Sequence, residues 1–132
     1  MRRLLTVLVL LASASLSAQE KRVAATGGWV KLPAAGETQA MAFVTVENPG
    51  MYEVNITSAK TDAAGKVELW NEGQATTFIN VPAYGSLEMS AAGAHLLVRD
   101  LKRSLKEGDM VALSLTTDGD VTLTVTAAVR KE

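Results

Sequence analysis

The chain has 132 residues, 48% hydrophobic, 20% charged and 5% aromatic, which is the size and make-up of one globular domain. Those figures exclude a disordered chain, a collagen-like repeat and a multi-span membrane protein. Thirteen Lys+Arg against fourteen Asp+Glu give a net charge of −1; with no cationic excess to neutralise a phosphate backbone, nucleic acid is excluded as a partner class.

Arg2 and Arg3 form a positive start ahead of a mostly apolar run, Leu4 to Ala12, and a small-residue stretch, Ser13 to Ala18. This is the secretory-signal pattern, and the run is too short for a bilayer span of about 20 residues. It divides the chain into a signal peptide, residues 1–18, and one domain, residues 19–132. Cleavage is expected after Ala18, or after Ala14 on the better small-x-small match Ala12-Ser13-Ala14. The mature protein is expected to be periplasmic or secreted, with no membrane span once the signal is removed.

Beyond the signal, apolar and polar residues alternate. The period of two recurs in Phe43-Val44-Thr45-Val46-Glu47, Glu53-Val54-Asn55-Ile56-Thr57 and Thr77-Phe78-Ile79-Asn80-Val81. It is clearest in Val111-Ala112-Leu113-Ser114-Leu115-Thr116 and Val121-Thr122-Leu123-Thr124-Val125-Thr126, where one face is aliphatic and the other largely hydroxylated. Val67-Glu68-Leu69 and Leu96-Leu97-Val98 add shorter strands. Turns are expected at Asn48-Pro49-Gly50, Ala64-Gly65, Glu107-Gly108-Asp109 and Asp118-Gly119-Asp120, the last joining the two clearest strands as a hairpin. No window carries a sustained helical period. Eight or nine short strands of this kind predict an antiparallel β-sandwich around a single core.

The candidate chemistry is sparse. There is no cysteine, which excludes thiolate metal sites, disulfides, a Cys nucleophile and a lipid-modified Cys. His95 is the only histidine. No Gly-x-Ser-x-Gly, P-loop, His-Glu-x-x-His or dinucleotide pattern occurs, so the chain is not read as an enzyme. Asp118-Gly119-Asp120 is a turn rather than a calcium loop. Met41 is expected ahead of a strand, Met51 in a turn, Met89 facing the core and Met110 out of phase with Val111, Leu113 and Leu115, each as packing rather than as a ligand.

Several segments of the second half occur together in a recognisable order. They are Val67-Glu68-Leu69-Trp70, Val81-Pro82-Ala83-Tyr84-Gly85, Ala92-Gly93-Ala94-His95-Leu96-Leu97 and the run from Leu101 to Asp109. With Trp29-Val30 and Ala42 to Asn48 upstream, they resemble the PCu(A)C family of exported bacterial copper chaperones over about residues 28–129. The family's wording at these places is Val-Glu-Leu-His, Ile-Pro-Ala-Gly, Pro-Gly-Gly-x-His-x-Met and Leu-x-x-x-Leu-x-x-Gly-Asp. The resemblance implies an all-β, antiparallel Greek-key β-sandwich of cupredoxin-like type.

The same resemblance implies a Cu(I) site of pattern His-x10-Met-x21-His-x-Met, soft thioether and borderline imidazole donors that suit Cu(I). Carried across, the first His position is Trp70, the second is His95 and the last Met is Leu97. The segment from Trp70 to His95 is shorter than the pattern requires, so the hairpin bearing the first Met has no counterpart. Glu72 offers an oxygen near the first position, and Trp70 is expected to fill the space the site has vacated. One ligand of four survives. The implied function is a copper-chaperone-like protein, resembling carriers of Cu(I) toward the copper centre of cytochrome c oxidase, with copper binding weak or lost. Its implied partner is a copper-donating or copper-accepting periplasmic protein. The alternative is a metal-free periplasmic binding or interaction module on the same sandwich.

Overall fold

The computed structural model describes residues 22–131; the expected signal peptide and both cleavage positions lie outside the described residues. Ten strands follow one another: β1 (Ala24–Lys31), β2 (Ala40–Asn48), β3 (Val54–Thr61), β4 (Ala64–Asn71), β5 (Gln74–Thr76), β6 (Ile79–Val81), β7 (Gly85–Glu88), β8 (His95–Leu101), β9 (Met110–Thr117) and β10 (Thr122–Arg130). No helix occurs among the described residues. The hydrogen-bonded path runs β5-β4-β8-β2-β1-β10-β9-β3-β6, and β7 pairs with β2 off this path. Strands β3 and β4 are consecutive in the chain yet lie near opposite ends of the path, so the sheet closes back on itself. Its inner face is the core.

That core is built from the alternation read in the sequence. Val111, Leu113 and Leu115 on β9 are buried with Leu123, Ala127 and Val129 on β10, Val30 on β1, Ala42, Val44 and Val46 on β2, and Leu96 and Val98 on β8. Strands β9 and β10 pair in register from Thr116↔Thr122 to Met110↔Ala128, with the expected turn at Asp118-Gly119-Asp120. Asp120 takes a left-handed φ of 61° there, and Thr117 N–H donates to Val121 O at 2.9 Å to close the loop.

Four details differ from the sequence reading. The sheet is mixed rather than purely antiparallel, because β1 and β10 run parallel through Trp29↔Ala128, Val30↔Val129 and Lys31↔Arg130. The short strands β5 and β7 were not expected. The turn expected at Ala64-Gly65 falls instead at Asp62-Ala63, and β4 begins at Ala64. Met41 lies inside β2 rather than before it.

Two turns shape the region around His95. Glu72 and Gly73, with φ of 55° and 82°, form a two-residue turn between the directly paired Asn71 and Gln74. Positive φ at both central residues matches a type I′ hairpin, and the glycine adopts it without a Cβ penalty. On β1 the register slips between Thr26 and Trp29, with Gly27 at φ 60°. This bulge re-aims the strand so that Trp29 stands opposite Phe43.

Candidate functional site

Strand β4 pairs with β8 so that Trp70 stands opposite His95, Glu68 opposite Leu97 and Lys66 opposite Arg99. Strand β8 pairs in turn with β2, placing Leu97 opposite Met41. Side chains alternate across a strand, so these residues occupy the face away from Leu69, Leu96 and Val98, which are in the core. Trp70, His95 and Leu97, the three positions that the resemblance singled out, are therefore brought together on one outer sheet face.

A row of rings crosses that face. Trp70 stacks on His95 with centroids 6.2 Å apart and planes at 21°. His95 lies 6.1 Å from Phe43, and Phe43 lies 4.7 Å from Trp29. The guanidinium of Arg130 sits 4.4 Å from the Trp29 ring centroid, a cation–π contact at the end of the row. The row leaves His95 and Phe43 each only 4% exposed and Leu97 8% exposed, although all three project from the outer face. This explains the unbroken buried run His95-Leu96-Leu97-Val98 on β8, a central strand covered on both sides.

His95 has a defined orientation. Its Nδ1 lies 3.2 Å from the carbonyl oxygen of Gly93, and a carbonyl only accepts. In the neutral imidazole this bond places the proton on Nδ1 and leaves the Nε2 lone pair as the donor. Metal-bound imidazoles are commonly oriented by such a bond. Here the imidazole is a nearly buried ring packed between Trp70 and Phe43.

Beside His95 on this face the other soft donor among the described residues is the thioether of the half-buried Met41, opposite Leu97 on β2. The Trp70 indole Nε1–H donates to Glu68 Oε1 at 3.0 Å, so the tryptophan is held by its own strand. That bond, followed by those from Lys66 and Arg99, holds the Glu68 carboxyl below its ordinary value of 4.5. Glu68 is also ion-paired with Lys66 and Arg99, both at 3.3 Å. Glu72 lies in the type I′ turn, its side chain exposed and only its backbone N–H bonded to Gly93 O, at 3.3 Å. Met51 and Met110 are exposed elsewhere, at 63% and 56%. Met89 packs against the core, as expected. Among the described residues no three His, Cys, Asp or Glu side chains cluster to hold a metal ion. The donor set does not fit a complete copper site.

Phe43, Trp29 and Arg130 belong to this face; the sequence marked Trp29 and Phe43 only as parts of strands that carry the family resemblance, not as site residues, and Arg130 not at all. Phe43 could have been found from the alternation in β2. Trp29 and Arg130 depend on the bulge and on the parallel β1–β10 register, which leave no local signal.

The fold is the cupredoxin-like β-sandwich of PCuAC domains. The chain belongs to the LpqE-like family, described as putative lipoprotein LpqE-like, whose model matches residues 23–129. Similar solved structures include the copper-bound PCuAC domain from PmoF2, at 20% identity and a TM-score of 0.77, covering 85% of this chain and 95% of that one. The apo PCuAC domain from PmoF1 matches at 17% identity with the same TM-score, covering 85% and 96%. Cu(I)-DR1885 from Deinococcus radiodurans matches at 25% identity and a TM-score of 0.75, covering 92% of this chain and 87% of that one. Among curated protein sequences none matches.

Proposed function

We propose that this is an exported, non-enzymatic member of the copper-chaperone family in which the copper position has been rebuilt as a packed aromatic surface. Cu(I) is then bound weakly or not at all. One observation supports this reading: the three positions that the resemblance singles out converge on one face, where Trp70 and Leu97 are apolar and the soft donors left are His95 Nε2 and, opposite Leu97, the Met41 thioether. Tight Cu(I) binding requires several soft donors in a suitable geometry, and one imidazole with one thioether on a neighbouring strand falls short of the two His and two Met donors of the family pattern. Within the proposal, residues 1–18 direct export to the periplasm or beyond, and 19–132 form the working domain. The partner is an exported protein that donates or accepts copper, of the kind that serves the copper centre of cytochrome c oxidase.

The second reading, a metal-free binding or interaction module, is supported by the row Trp70–His95–Phe43–Trp29. Its half-buried Trp70 and Trp29 rings, with His95 and Phe43 buried between them, offer contacts to apolar or planar groups. The His95 imidazole separates the two readings. In nitrogen-resolved NMR of the mature protein, added Cu(I) should leave the Nε2 resonance in place or shift it gradually without saturation. A new, slowly exchanging Nε2 signal that saturates at one equivalent would overturn the weak-site proposal.

A further inference from the structure

Strand β7 pairs with β2 alone among the described strands, so its other edge is open. The register fixes which backbone groups face that edge. Met89 N–H donates to Val44 O at 3.2 Å, one position beyond the pair Thr45↔Glu88. Hydrogen-bonded and non-hydrogen-bonded pairs alternate along an antiparallel ladder. Thr45↔Glu88 and Glu47↔Ser86 are therefore non-hydrogen-bonded pairs, and the N–H and C=O of both Ser86 and Glu88 point away from β2. The β4–β5 hairpin does not run alongside them: it turns at Glu72-Gly73, where Glu72 N–H reaches Gly93 O ahead of β8.

Both ends of this edge are held. Met89 N–H fixes one; at the other, Tyr84 N–H donates to Gly50 O at 3.0 Å and Gly85 N–H to Pro82 O at 3.2 Å. An edge ordered in advance loses little entropy on accepting a strand, and strand addition is a recurring mode of peptide recognition. The side chains set the preferred sequence. Ser86 and Glu88 are exposed, with Glu47 opposite Ser86, while Leu87 is half-buried against the core. A hollow of about 510 Å³ at the head of the strand, with Arg22, Glu47, Tyr84 and Ser86 in its lining, has room for a long side chain. A second copy of β7 would bring Glu47 and Glu88 of both molecules onto one face, and like charges on neighbouring strands oppose pairing.

We infer that an extended segment of a partner protein adds to the open edge of β7, with basic side chains beside Glu88 and Glu47 on the outer face and apolar side chains beside Leu87. Directly opposed residues share a face, so the residues bonded to Ser86 and Glu88 are the basic ones. The site does not use the His95 position.

NMR titration of the mature protein with a capped octapeptide of alternating lysine and valine tests this. The expected result is saturable one-to-one binding with slowed amide exchange at Ser86 and Glu88. Ser86→Pro removes an N–H that takes no part in the β2 ladder, so circular dichroism should show the fold intact while affinity falls about tenfold. Methylating the peptide's lysine backbone nitrogens should abolish binding, and methylating its valine nitrogens should preserve it. Glu88→Lys should transfer the preference to a glutamate–valine peptide. Equal binding of the two methylated peptides, unchanged affinity in Ser86→Pro, or exchange protection confined to other strands would overturn the site. A dimer of the protein alone, lost in Ser86→Pro, would overturn it in favour of a second copy.

Discussion

Trp70→His combined with Leu97→Met returns two donors to the face that holds His95. The structural cost follows from what each side chain touches. Leu97 is nearly buried between Met41 and Glu68 on the neighbouring strands, and a volume-conserving Leu→Met change costs less than about 1.5 kcal/mol. Trp70 loses its stacking on His95, an aromatic contact of about 0.5–1.5 kcal/mol, together with part of its buried area. The double variant should be destabilised by about 2–3 kcal/mol and melt roughly 10 °C lower, while remaining cooperatively folded. Chelator-competition titration should then show Cu(I) affinity raised at least tenfold, about 1.4 kcal/mol. A longer hairpin bearing a methionine, inserted at Glu72-Gly73, should be tolerated, since each doubling of loop length adds only about 0.6 kcal/mol. It should raise affinity again by supplying a second thioether. If the fully restored protein folds and binds Cu(I) no better than its parent, the three positions are not the remnants of a copper site.

Other expectations concern the frame that holds this face. Leu113 is fully buried, so Leu113→Ala should lose about 2–5 kcal/mol in urea denaturation, and a loss under about 0.5 kcal/mol would show that β9 is placed on the wrong phase. Asn48 is buried, its Nδ2 donating to the carbonyls of Tyr52 at 2.8 Å and Pro82 at 3.2 Å and its Oδ1 accepting from Gly50 N–H at 3.0 Å. Asn48→Ala should therefore cost about 1–3 kcal/mol by thermal melting, because it strands those groups. The Glu68 carboxyl is held below 4.5 chiefly by the Trp70 indole, so its contribution is present above that value and is lost as pH falls through the lower folded value. Urea midpoints of the native protein should fall more steeply than those of Glu68→Gln as pH is lowered below about 5; parallel curves would remove Glu68 from the account.

The β9–β10 hairpin was legible because alternation and an Asp-Gly-Asp turn agree, and Leu113 sits where the period places it. Strands β5 and β7 were not, since three or four residues carry no period. The parallel β1–β10 pairing joins the first and last of the described strands, and no local pattern encodes it. Leu97 shows the same limit at the site: alternation assigns it to an outer face, yet neighbouring rings and strands bury it. The meeting of Trp70, His95 and Leu97 was legible only through resemblance to copper chaperones. The extension of that face to Phe43, Trp29 and Arg130 depends on cross-strand register and a glycine bulge, which sequence spacing does not reveal.

Competition of the mature protein for Cu(I) against a strong colorimetric chelator, run beside His95→Ala, bears most directly on the rebuilt copper position. The account predicts that the native protein withdraws little or no copper and that His95→Ala behaves almost identically. Withdrawal of one full equivalent by the native protein, abolished in His95→Ala, would contradict it.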